Sequence, residues 1–456
     1  MLKYFSKKKL ILLCGDMLLI IASFYLSSFI RWSEFGDIRS SFNIAVILSL
    51  FIYIFIFYIA DFYNLEDKFK SKWSILRFAA AVVVANSIIA IVFYIFPFWK
   101  YGRGIFLLSG VFIFILSILW HLIFNEFFKH QRVPSGILIV GAGEAGNAIC
   151  NILKENNDIN IIGLLDDDPY KLGMSVGSSK VIGKTEMLLS LLNDRKIDRV
   201  IVAITHDMSP ALFKQIVQAK FNGVEIYDML SVYQSITGKI PVLHTNDRWL
   251  WDADIYGIKK NLYNTKIKTV LDKFFAVTGT ILSSPVMLIT AILIKLDSIG
   301  PVFYSQQRVG KDGKIFTLFK FRSMRADAEP EGAVWAEKND YRVTSIGRVI
   351  RFLRIDEIPQ MWNVLKGDMS FIGPRPERPE FVEHLSKEIP YYSLRNSVKP
   401  GITGWAQVNY RYGASKEDSL EKLQYDLFYI KNVSFLLDIV ILFVTIRVVL
   451  FGRGAR

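Results

Sequence analysis

The chain has 456 residues, 52% of them hydrophobic, and a formal net charge of +13, so it is longer and more apolar than a typical single soluble domain. The positive charge favours anionic lipid surfaces or phosphorylated substrates. The pattern predicts no nucleic-acid partner, because the basic residues cluster around apolar segments and one pair of carboxylates. Only two cysteines are present, which excludes a disulfide framework and a cysteine-based metal site.

Residues 1–133 predict a module of four transmembrane helices. Each of its four apolar runs is near the ~20 residues that cross a hydrocarbon core. The runs cover residues 10–30, 42–60, 78–96 and 105–124. Lysine and arginine are most frequent before the first run, between the second and third, and after the fourth. The positive-inside rule therefore predicts a cytoplasmic N terminus and a cytoplasmic location for the chain after residue 125. Asp16 and His121 interrupt these runs, and we interpret them as snorkelling or helix-packing residues.

Residues 134–245 predict a short α/β domain of the Rossmann type, with a βαβ unit at its start. A buried strand leads into Gly141, Gly143 and Gly146, which match the Gly-x-Gly-x-x-Gly fingerprint at a strand–turn–helix junction. Asp166 follows the next strand, where an acid would contact a ribose. Two interpretations stay open: a nucleotide-binding loop, or glycines that only permit close packing of strand and helix. The domain is short and lacks a Tyr-x-x-x-Lys pair, so we expect no catalysis here.

A linker at residues 246–265 precedes a second predicted encounter with the membrane. Residues 266–297 contain an apolar stretch long enough to span a bilayer. Ser284 and Pro285 stand near its centre, where proline removes a backbone donor and bends a helix. We therefore expect a re-entrant helix–break–helix that enters and leaves on the cytoplasmic face. An ordinary kinked fifth span is the alternative, but it would carry the C-terminal region away from cytoplasmic nucleotides.

Two adjacent carboxylates, Asp356 and Glu357, lie among many basic residues in the C-terminal region, residues 298–456. The neighbouring cations are Lys320, Arg322, Arg325, Arg348, Arg351, Arg354, Lys366, Arg375 and Arg378. A carboxylate pair in a cationic setting suits phosphate chemistry, because one acid can attack or hold a metal while the bases neutralise phosphate oxygens. An isolated pair of this kind could instead form surface salt bridges.

Five motifs, in order, give this region a specific resemblance. They are Gly300-Pro-Val-Phe-Tyr-Ser-Gln-Gln-Arg-Val-Gly310, Phe316-Thr-Leu-Phe-Lys-Phe-Arg-Ser-Met-Arg325, Asp356-Glu-Ile-Pro-Gln360, Asn363-Val-Leu-Lys-Gly-Asp-Met-Ser-Phe-Ile-Gly-Pro-Arg-Pro-Glu377 and Lys399-Pro-Gly-Ile-Thr-Gly-Trp-Ala-Gln-Val-Asn409. Together they resemble the polyprenyl-phosphate hexose-1-phosphate transferases, bacterial sugar transferases also called monotopic phosphoglycosyl transferases. The resemblance covers about residues 266–456. The upstream helices and α/β domain resemble the long form of the family, which primes exopolysaccharide or O-antigen synthesis.

The resemblance implies that a hexose-1-phosphate moves from a UDP-sugar to undecaprenyl phosphate, with release of UMP. In the family's two-step mechanism, Asp356 would attack the sugar-bearing phosphate and form an aspartyl phosphosugar, and Glu357 would hold Mg²⁺. Asp426 matches the family's late acidic position near the metal. The resemblance assigns phosphate-binding roles to Lys320, Arg351 and Arg375.

The expected fold class is membrane α plus α/β: four transmembrane helices, a Rossmann-like domain, and a catalytic domain with a re-entrant helix and interfacial amphipathic helices. The apolar segment 435–451 carries Asp438 and Arg447 and is expected to lie on the membrane surface. The family further implies the bacterial inner membrane and a homodimer. One departure is visible: family members often carry Thr-Ser-Leu before Asp-Glu, whereas Leu353-Arg354-Ile355 here adds a cation.

Two other functions are compatible with parts of the sequence. A membrane-tethered nucleotide-sugar oxidoreductase or dehydratase would use the loop at residues 141–146, although the missing Tyr/Lys couple counts against it. A non-enzymatic scaffold of a polysaccharide assembly machine would keep Asp356 and Glu357 in salt bridges, and Asp356→Asn would then leave function intact. Glucose, galactose and N-acetylated or otherwise modified hexoses are all consistent with the sequence as the transferred sugar.

Overall fold

The computed structural model describes residues 7–32, 40–63, 72–99, 102–129, 136–154, 159–194, 197–205, 208–244, 255–259, 261–325, 342–410, 413 and 415–450. The chain divides into two compact units, one formed by the N-terminal helices and the other by the α/β domain and the C-terminal region. Each unit has its own hydrophobic core.

The N-terminal unit consists of four apolar helices, which confirms the sequence prediction. They are α1 (Lys7–Trp32), α2 (Ser40–Ile59), α3 (Lys72–Ile95) and α4 (Arg103–Lys129), with a 3₁₀ turn at Pro97–Trp99. Helices α1, α3 and α4 are long and apolar enough to cross a bilayer, and α2 is a shorter apolar helix. Phe24, Tyr53 and Phe78 are buried between the helices, while many apolar side chains point outward, as suits a lipid environment.

The two polar exceptions in the membrane runs, Asp16 in α1 and His121 in α4, face each other. The His121 Nε2 atom lies 3.0 Å from an Asp16 carboxylate oxygen, and both side chains are buried. Neither group can reach water in an apolar bundle, so the contact holds the two helices in register. This geometry agrees with the helix-packing interpretation. The basic loop at residues 64–71, on which the predicted orientation partly depends, lies outside the described residues.

The second unit begins with a six-stranded sheet in the order β3-β4-β2-β1-β5-β6. Its strands are β1 (Gly136–Val140), β2 (Asn160–Leu165), β3 (Ser175–Val176), β4 (Ser179–Gly183), β5 (Ile197–Val202) and β6 (Glu225–Asp228). Its helices are α5 (Glu144–Lys154), α6 (Leu188–Asp194), α7 (Pro210–Phe221) and α8 (Met229–Thr237). Strand β2 pairs in parallel with β4, and β5 with β6. The predicted Rossmann-like unit is present, but the sheet has three strands more than the sequence indicated. Strands β3, β4 and β6 lack continuous apolar runs, so periodicity alone does not identify them.

The glycine loop joins β1 to α5, as the fingerprint predicts. Gly141 has a φ of +107°, and a Cβ atom on Gly146 would lie 2.1 Å from the Gly141 carbonyl oxygen. Conformation and close packing therefore explain these two glycines, whereas a Cβ atom on Gly143 would meet nothing within 4 Å. Asp166 accepts a 2.7 Å hydrogen bond from the backbone nitrogen of Ala142. The acid expected to contact a ribose is thus engaged by the loop itself.

The apolar helix after the linker is continuous. A π-helical turn at Tyr263–Ile267 leads into α9 (Lys268–Asp297), which contains Pro285. Helical structure therefore continues through Ser284 and Pro285, and the expected break is not an interruption of the helix; a bend of the helix axis at Pro285 stays a prediction. The Ser284 hydroxyl donates a 2.8 Å hydrogen bond to the carbonyl of Ile281, the group that the missing N–H of Pro285 leaves without its helical donor. Linker residues 245–254 and 260 lie outside the described residues.

The C-terminal region packs around α9. Its strands are β7 (Phe303–Val309), β8 (Ile315–Phe321), β9 (Ser370–Ile372) and β10 (Gly401–Thr403). Its helices are α10 (Ser345–Phe352), α11 (Gln360–Lys366), α12 (Pro379–Glu388), α13 (Trp405–Asn409), α14 (Lys416–Asn432) and α15 (Phe435–Leu450). Strands β7 and β8 form an antiparallel hairpin, and β9 pairs in parallel with β10. Ala276 and Ile294 of α9 are buried in two small cores beneath these elements.

Helix α14 joins several parts of the second unit. Near its end, Lys431 donates a 2.9 Å hydrogen bond to the side chain of Gln234 in α8. The following helix, α15, carries the buried Asp438, which pairs with Lys268 of α9 at 2.5 Å. Asp438, which suggested a polar face for this segment, is therefore buried in an ion pair within the protein. An interfacial position for α15 stays a prediction.

Candidate active site

The two adjacent carboxylates lie on a 3₁₀ turn, Ile355–Glu357, immediately after α10. Arg354 precedes the turn with a φ of +58°, a left-handed conformation that ends one helix and redirects the chain. Both carboxylates are buried: Asp356 is 8% exposed and Glu357 is 9% exposed. Burial at this level distinguishes them from an ordinary surface pair, because an ionised carboxylate away from water needs cations or strong donors around it.

Glu357 is surrounded by cations. Its Oε1 atom accepts hydrogen bonds from Arg375 Nη2 at 2.8 Å and Lys320 Nζ at 3.2 Å, and Arg354 Nη1 lies 4.0 Å away. Burial alone would raise the pKa of Glu357, but the charges of Arg375, Lys320 and Arg354 outweigh it and hold the pKa well below the usual range. Glu357 therefore carries its negative charge throughout the physiological pH range.

The pKa of Asp356 is shifted in the opposite direction from that of Glu357. Burial raises its pKa above the usual value, and the neighbouring charge of Glu357 adds to this, while Lys320, Arg375 and Arg351 oppose it. Its Oδ1 atom is buried and has no hydrogen-bond partner in the part of the chain described. A poorly solvated carboxylate oxygen beside several cations has the character expected of a nucleophile for a phosphate.

The sequence-predicted cations reach this dyad from separate elements. Lys320 comes from β8, Arg351 from the last turn of α10, and Arg375 from the segment after β9. The structure thus brings together five of the six predicted catalytic, phosphate-binding and metal residues. Because β8 and β9 are held by backbone pairing while α10 packs on α9, the cations are fixed before any ligand binds.

Asn363 holds β8 in place, and sequence reasoning missed this function. The side chain is fully buried; its Oδ1 accepts from the backbone nitrogen of Phe319 at 3.1 Å, and its Nδ2 donates to the carbonyl of Thr317 at 2.7 Å. These bonds bind α11 to the strand next to Lys320. The only sequence signal was the position of Asn363 at the start of a motif, which carries no information about its partner.

Asp426, predicted to lie near the metal, has a different partner. It is 1% exposed, and its Oδ2 accepts a 2.8 Å hydrogen bond from Nη2 of Arg395. Burial raises the pKa of Asp426 to about 6, although the Arg395 guanidinium opposes this. Arg395 did not stand out in the sequence, because it lies outside the five motifs.

Arg322 is also structural. It is 5% exposed and donates hydrogen bonds to the carbonyls of Ile299 at 3.0 Å and Ser298 at 2.7 Å. Its guanidinium therefore satisfies carbonyl groups immediately after α9, where a positive charge also complements the helix dipole. Lys320 and Arg322 are only two positions apart, but Lys320 contacts the dyad and Arg322 contacts the carbonyls after the end of α9.

The residues present fit a single hard cation held mainly by its substrate. Within the described ranges, no three His, Cys, Asp or Glu side chains converge on one point. Mg²⁺ is commonly held through one or two carboxylates together with phosphate oxygens and water. The ionised Glu357 and Asp356, whose Oδ1 atom has no hydrogen-bond partner within the described ranges, supply such carboxylates.

Comparison with known proteins finds similar sequences across both halves of the second unit. Residues 263–452 match the family model described as bacterial sugar transferase, and residues 136–208 match that of the PglD N-terminal domain.

Three relatives illustrate the range of similarity. A UDP-N-acetylgalactosamine-undecaprenyl-phosphate N-acetylgalactosaminephosphotransferase from Aeromonas hydrophila is 46% identical over 51% of this chain and 54% of its own length. A UDP-glucose:undecaprenyl-phosphate glucose-1-phosphate transferase from Xanthomonas campestris pv. campestris is 32% identical over 70% of this chain and 68% of its own. An undecaprenyl-phosphate galactose phosphotransferase from Salmonella typhimurium is 28% identical over 85% and 83%. The chain therefore spans about half the length of the first relative and more than two thirds of the other two.

Proposed function

The chain belongs to the bacterial sugar transferase family, a family of phosphotransferase enzymes, and we propose that it transfers a hexose-1-phosphate from a UDP-sugar to undecaprenyl phosphate. One observation carries the proposal: Asp356 is a buried carboxylate next to the cation-bound Glu357, and one of its oxygens has no partner among the residues that the structure describes. The relatives' names supply the substrate classes, and the geometry supports a covalent route. The reaction would be the first membrane step of exopolysaccharide or O-antigen synthesis.

In the first step, an Asp356 carboxylate oxygen attacks the sugar-bearing phosphorus of the UDP-sugar. A new P–O bond forms to the aspartate, and the P–O bond to UMP breaks, so UMP leaves with the bridging oxygen. In the second step, a phosphate oxygen of undecaprenyl phosphate attacks the same phosphorus, and Asp356 leaves as a free carboxylate. A covalent relay of this kind lets a soluble donor depart before a membrane-bound acceptor enters.

The basic residues would act on the charge of the diphosphate. Lys320, Arg351 and Arg375 surround the dyad and would neutralise phosphate oxygens that otherwise repel a carboxylate nucleophile. Glu357 would hold Mg²⁺, which when bound adds further neutralisation of the diphosphate. Asp356 remains the better nucleophile of the pair, because Glu357 is already engaged by three cations.

We further propose that α9 is re-entrant and that the site faces the cytoplasm at the inner membrane. Asp272 near the start of α9 accepts from the backbone nitrogen of Phe371 at 3.0 Å, and Asp297 at its end accepts from that of Ile346 at 3.2 Å. A 30-residue helix is about 45 Å long, so a membrane-spanning α9 would place these two contacts on opposite sides of the bilayer. Contacts to one domain at both ends support entry and exit on a single face. The exposed side chains of α9 include the large apolar residues Phe274, Leu282, Leu288 and Leu296.

For the sugar, we propose N-acetylgalactosamine. A relative named for that sugar is 46% identical over its matched region, whereas relatives named for glucose are 32% to 41% identical over theirs and one named for galactose is 28% identical. A homodimer is part of the proposal on family grounds, and mass photometry of the detergent-solubilised protein tests it.

The decisive experiment measures UMP release with undecaprenyl phosphate and Mg²⁺ across a panel of UDP-sugars. We expect UDP-N-acetylgalactosamine to be the preferred donor and Asp356→Asn to lose at least ~10³-fold in rate. Asp312→Asn is the matched control, because Asp312 lies on an exposed left-handed turn that asparagine tolerates. Without acceptor, the wild-type peptide containing Asp356 should carry one sugar phosphate by mass spectrometry. Full activity of Asp356→Asn would refute the mechanism, and UMP from UDP-glucose alone would refute the sugar assignment.

A further inference from the structure

Arg395 occupies a buried position behind the candidate active site. It lies on the 3₁₀ helix Tyr392–Ser397 and is 5% exposed. Its Nη1 atom donates a 2.7 Å hydrogen bond to the hydroxyl of Tyr392, and Glu377 lies 3.8 Å away. A buried guanidinium group requires several hydrogen-bond acceptors because it has lost contact with water. Its planar shape allows it to donate to them in fixed directions.

One nitrogen of Arg395 links two parts of the domain. Its Nη2 atom donates to the backbone carbonyl of Arg375 at 3.1 Å and to the carboxylate of Asp426 at 2.8 Å. Arg375 in turn donates from its side chain to Glu357 at 2.8 Å. Asp426, on α14, is therefore connected to the dyad through two arginines, the second of which reaches Glu357 directly.

The same contacts argue against Asp426 as a metal ligand. Its side chain is 1% exposed, and one of its two oxygens is bound by Arg395. A divalent cation at Asp426 would have to keep its water and phosphate ligands beside a side chain that is 1% exposed, whereas Glu357 is 9% exposed and lies beside the candidate nucleophile. A buried ion pair of this kind needs both partners, because removal of one leaves the other charge uncompensated.

We propose that Arg395 and Asp426 form a positioning pair that fixes the segment Gly373–Glu377, so that Asp426 acts on catalysis through Arg395 and Arg375 and binds no metal. The inference rests on the proposed function only in that Arg375 is part of the reacting site. Arg395 holds the backbone of that residue, and Asp426 holds Arg395 in the required orientation. Neither side chain of the pair contacts substrate.

The test compares Arg395→Lys, Asp426→Asn and Glu357→Gln with the wild-type enzyme in detergent. Lysine keeps the charge but cannot donate along two directions from one planar group. We expect Arg395→Lys and Asp426→Asn to lower kcat by about 10- to 100-fold, with KM for the UDP-sugar within about twofold. The Mg²⁺ concentration for half-maximal activity should stay at the wild-type value in both. Only Glu357→Gln should increase the Mg²⁺ requirement.

A second measurement does not depend on activity. Amide hydrogen exchange at Gly373, Arg375 and Glu377, the residues of the segment that have an amide hydrogen, should become faster in Arg395→Lys and Asp426→Asn, because the backbone of Arg375 loses its anchor. Tyr392→Phe keeps both bonds of Nη2 and should alter exchange less, and Glu383→Gln, which removes an exposed ion pair with Lys387, should alter nothing. If Asp426→Asn does not fold, Arg395→Lys alone decides the matter.

Two results would overturn the inference. The first is unchanged exchange at residues 373–377 in Arg395→Lys. The second is a Mg²⁺ requirement at least ~10-fold higher in Asp426→Asn, which would identify Asp426 as a ligand. If the wild-type enzyme released no UMP from any donor, the proposed function would fail, while the exchange measurement would still test the positioning pair.

Discussion

Lys320 Nζ lies 3.2 Å from a carboxylate oxygen of Glu357 and, at the same time, is the strongest cationic influence on Asp356. One ammonium group therefore serves both acids of the dyad, and its effects on them differ. It helps to keep Glu357 ionised, and it limits the rise in the pKa of Asp356 that burial causes. The two adjacent carboxylates acquire different roles because their surroundings differ.

Replacing Lys320 should change the pH dependence of catalysis. Asp356 must be ionised to attack, so the rate falls as the pH drops through its raised pKa. Lys320→Met removes an influence that lowers this pKa, and the acidic limb of the kcat/KM profile should move to higher pH. We also expect a loss of at least ~10-fold at neutral pH. The matched control is Lys314→Met, an exposed lysine immediately before the same hairpin strand. An acidic limb that stayed at the wild-type pH in Lys320→Met would contradict the electrostatic argument.

The two ends of α9 should be accessible from the same side of the membrane. Lys266 and Lys295 are both exposed near opposite ends of this helix. Single cysteines at these positions, in a chain without Cys14 and Cys150, should react with a membrane-impermeant maleimide only when the cytoplasmic face is open to the reagent. Inverted vesicles and intact spheroplasts provide the two conditions. Labelling of one position in each preparation would indicate a full span.

Arg322→Met should destabilise the second unit without a direct effect on substrate binding. The change removes the charged donor from the carbonyls of Ser298 and Ile299, and a hydrogen bond to a charged group contributes about 1.5–3 kcal/mol. We expect the free energy of unfolding to fall by at least ~2 kcal/mol in denaturant titrations. Arg325→Met, an exposed arginine three residues later, serves as the control. Equal effects of the two substitutions would show that the bonds of Arg322 contribute little.

Gly404→Ala should disturb the segment that carries Arg375. A Cβ atom at Gly404 would lie 2.1 Å from the carbonyl oxygen of Gly373, and backbone cannot move aside without separating β9 from β10. We expect a loss of stability of at least ~2 kcal/mol together with loss of activity. Gly143→Ala introduces the same methyl group into open space and should leave stability within about 0.5 kcal/mol. The measurement is the thermal unfolding midpoint of each variant relative to the wild type.

Cys150 should be unreactive in the folded protein. Burial removes it from solvent and raises the pKa of its thiol to about 11, so at pH 8 only about one thiol in a thousand is ionised. In a Cys14→Ser background, Ellman's reagent should react with Cys150 only after denaturant is added. Ser190→Cys supplies an exposed thiol away from Cys150 for comparison. Complete reaction of Cys150 within minutes in native buffer would contradict the buried position.

The sequence by itself determined the four apolar N-terminal helices, the glycine turn after β1, and the identity of the dyad with its nearest cations. Hydrophobic run length and residue type indicate the helices and the turn directly. The dyad and its cations were identified from short motifs and from their resemblance to a known family. Tertiary structure alone decided three other matters. It showed that Ser284 satisfies the carbonyl freed by Pro285, so α9 continues through the proline. It gave Asp426 the partner Arg395, and it turned Arg322 away from the dyad. Each depends on the position that a side chain takes after packing. The partners of Arg322 and Asp426 lie 23 to 31 residues away in the chain, and no motif or periodicity encodes contacts at such separations.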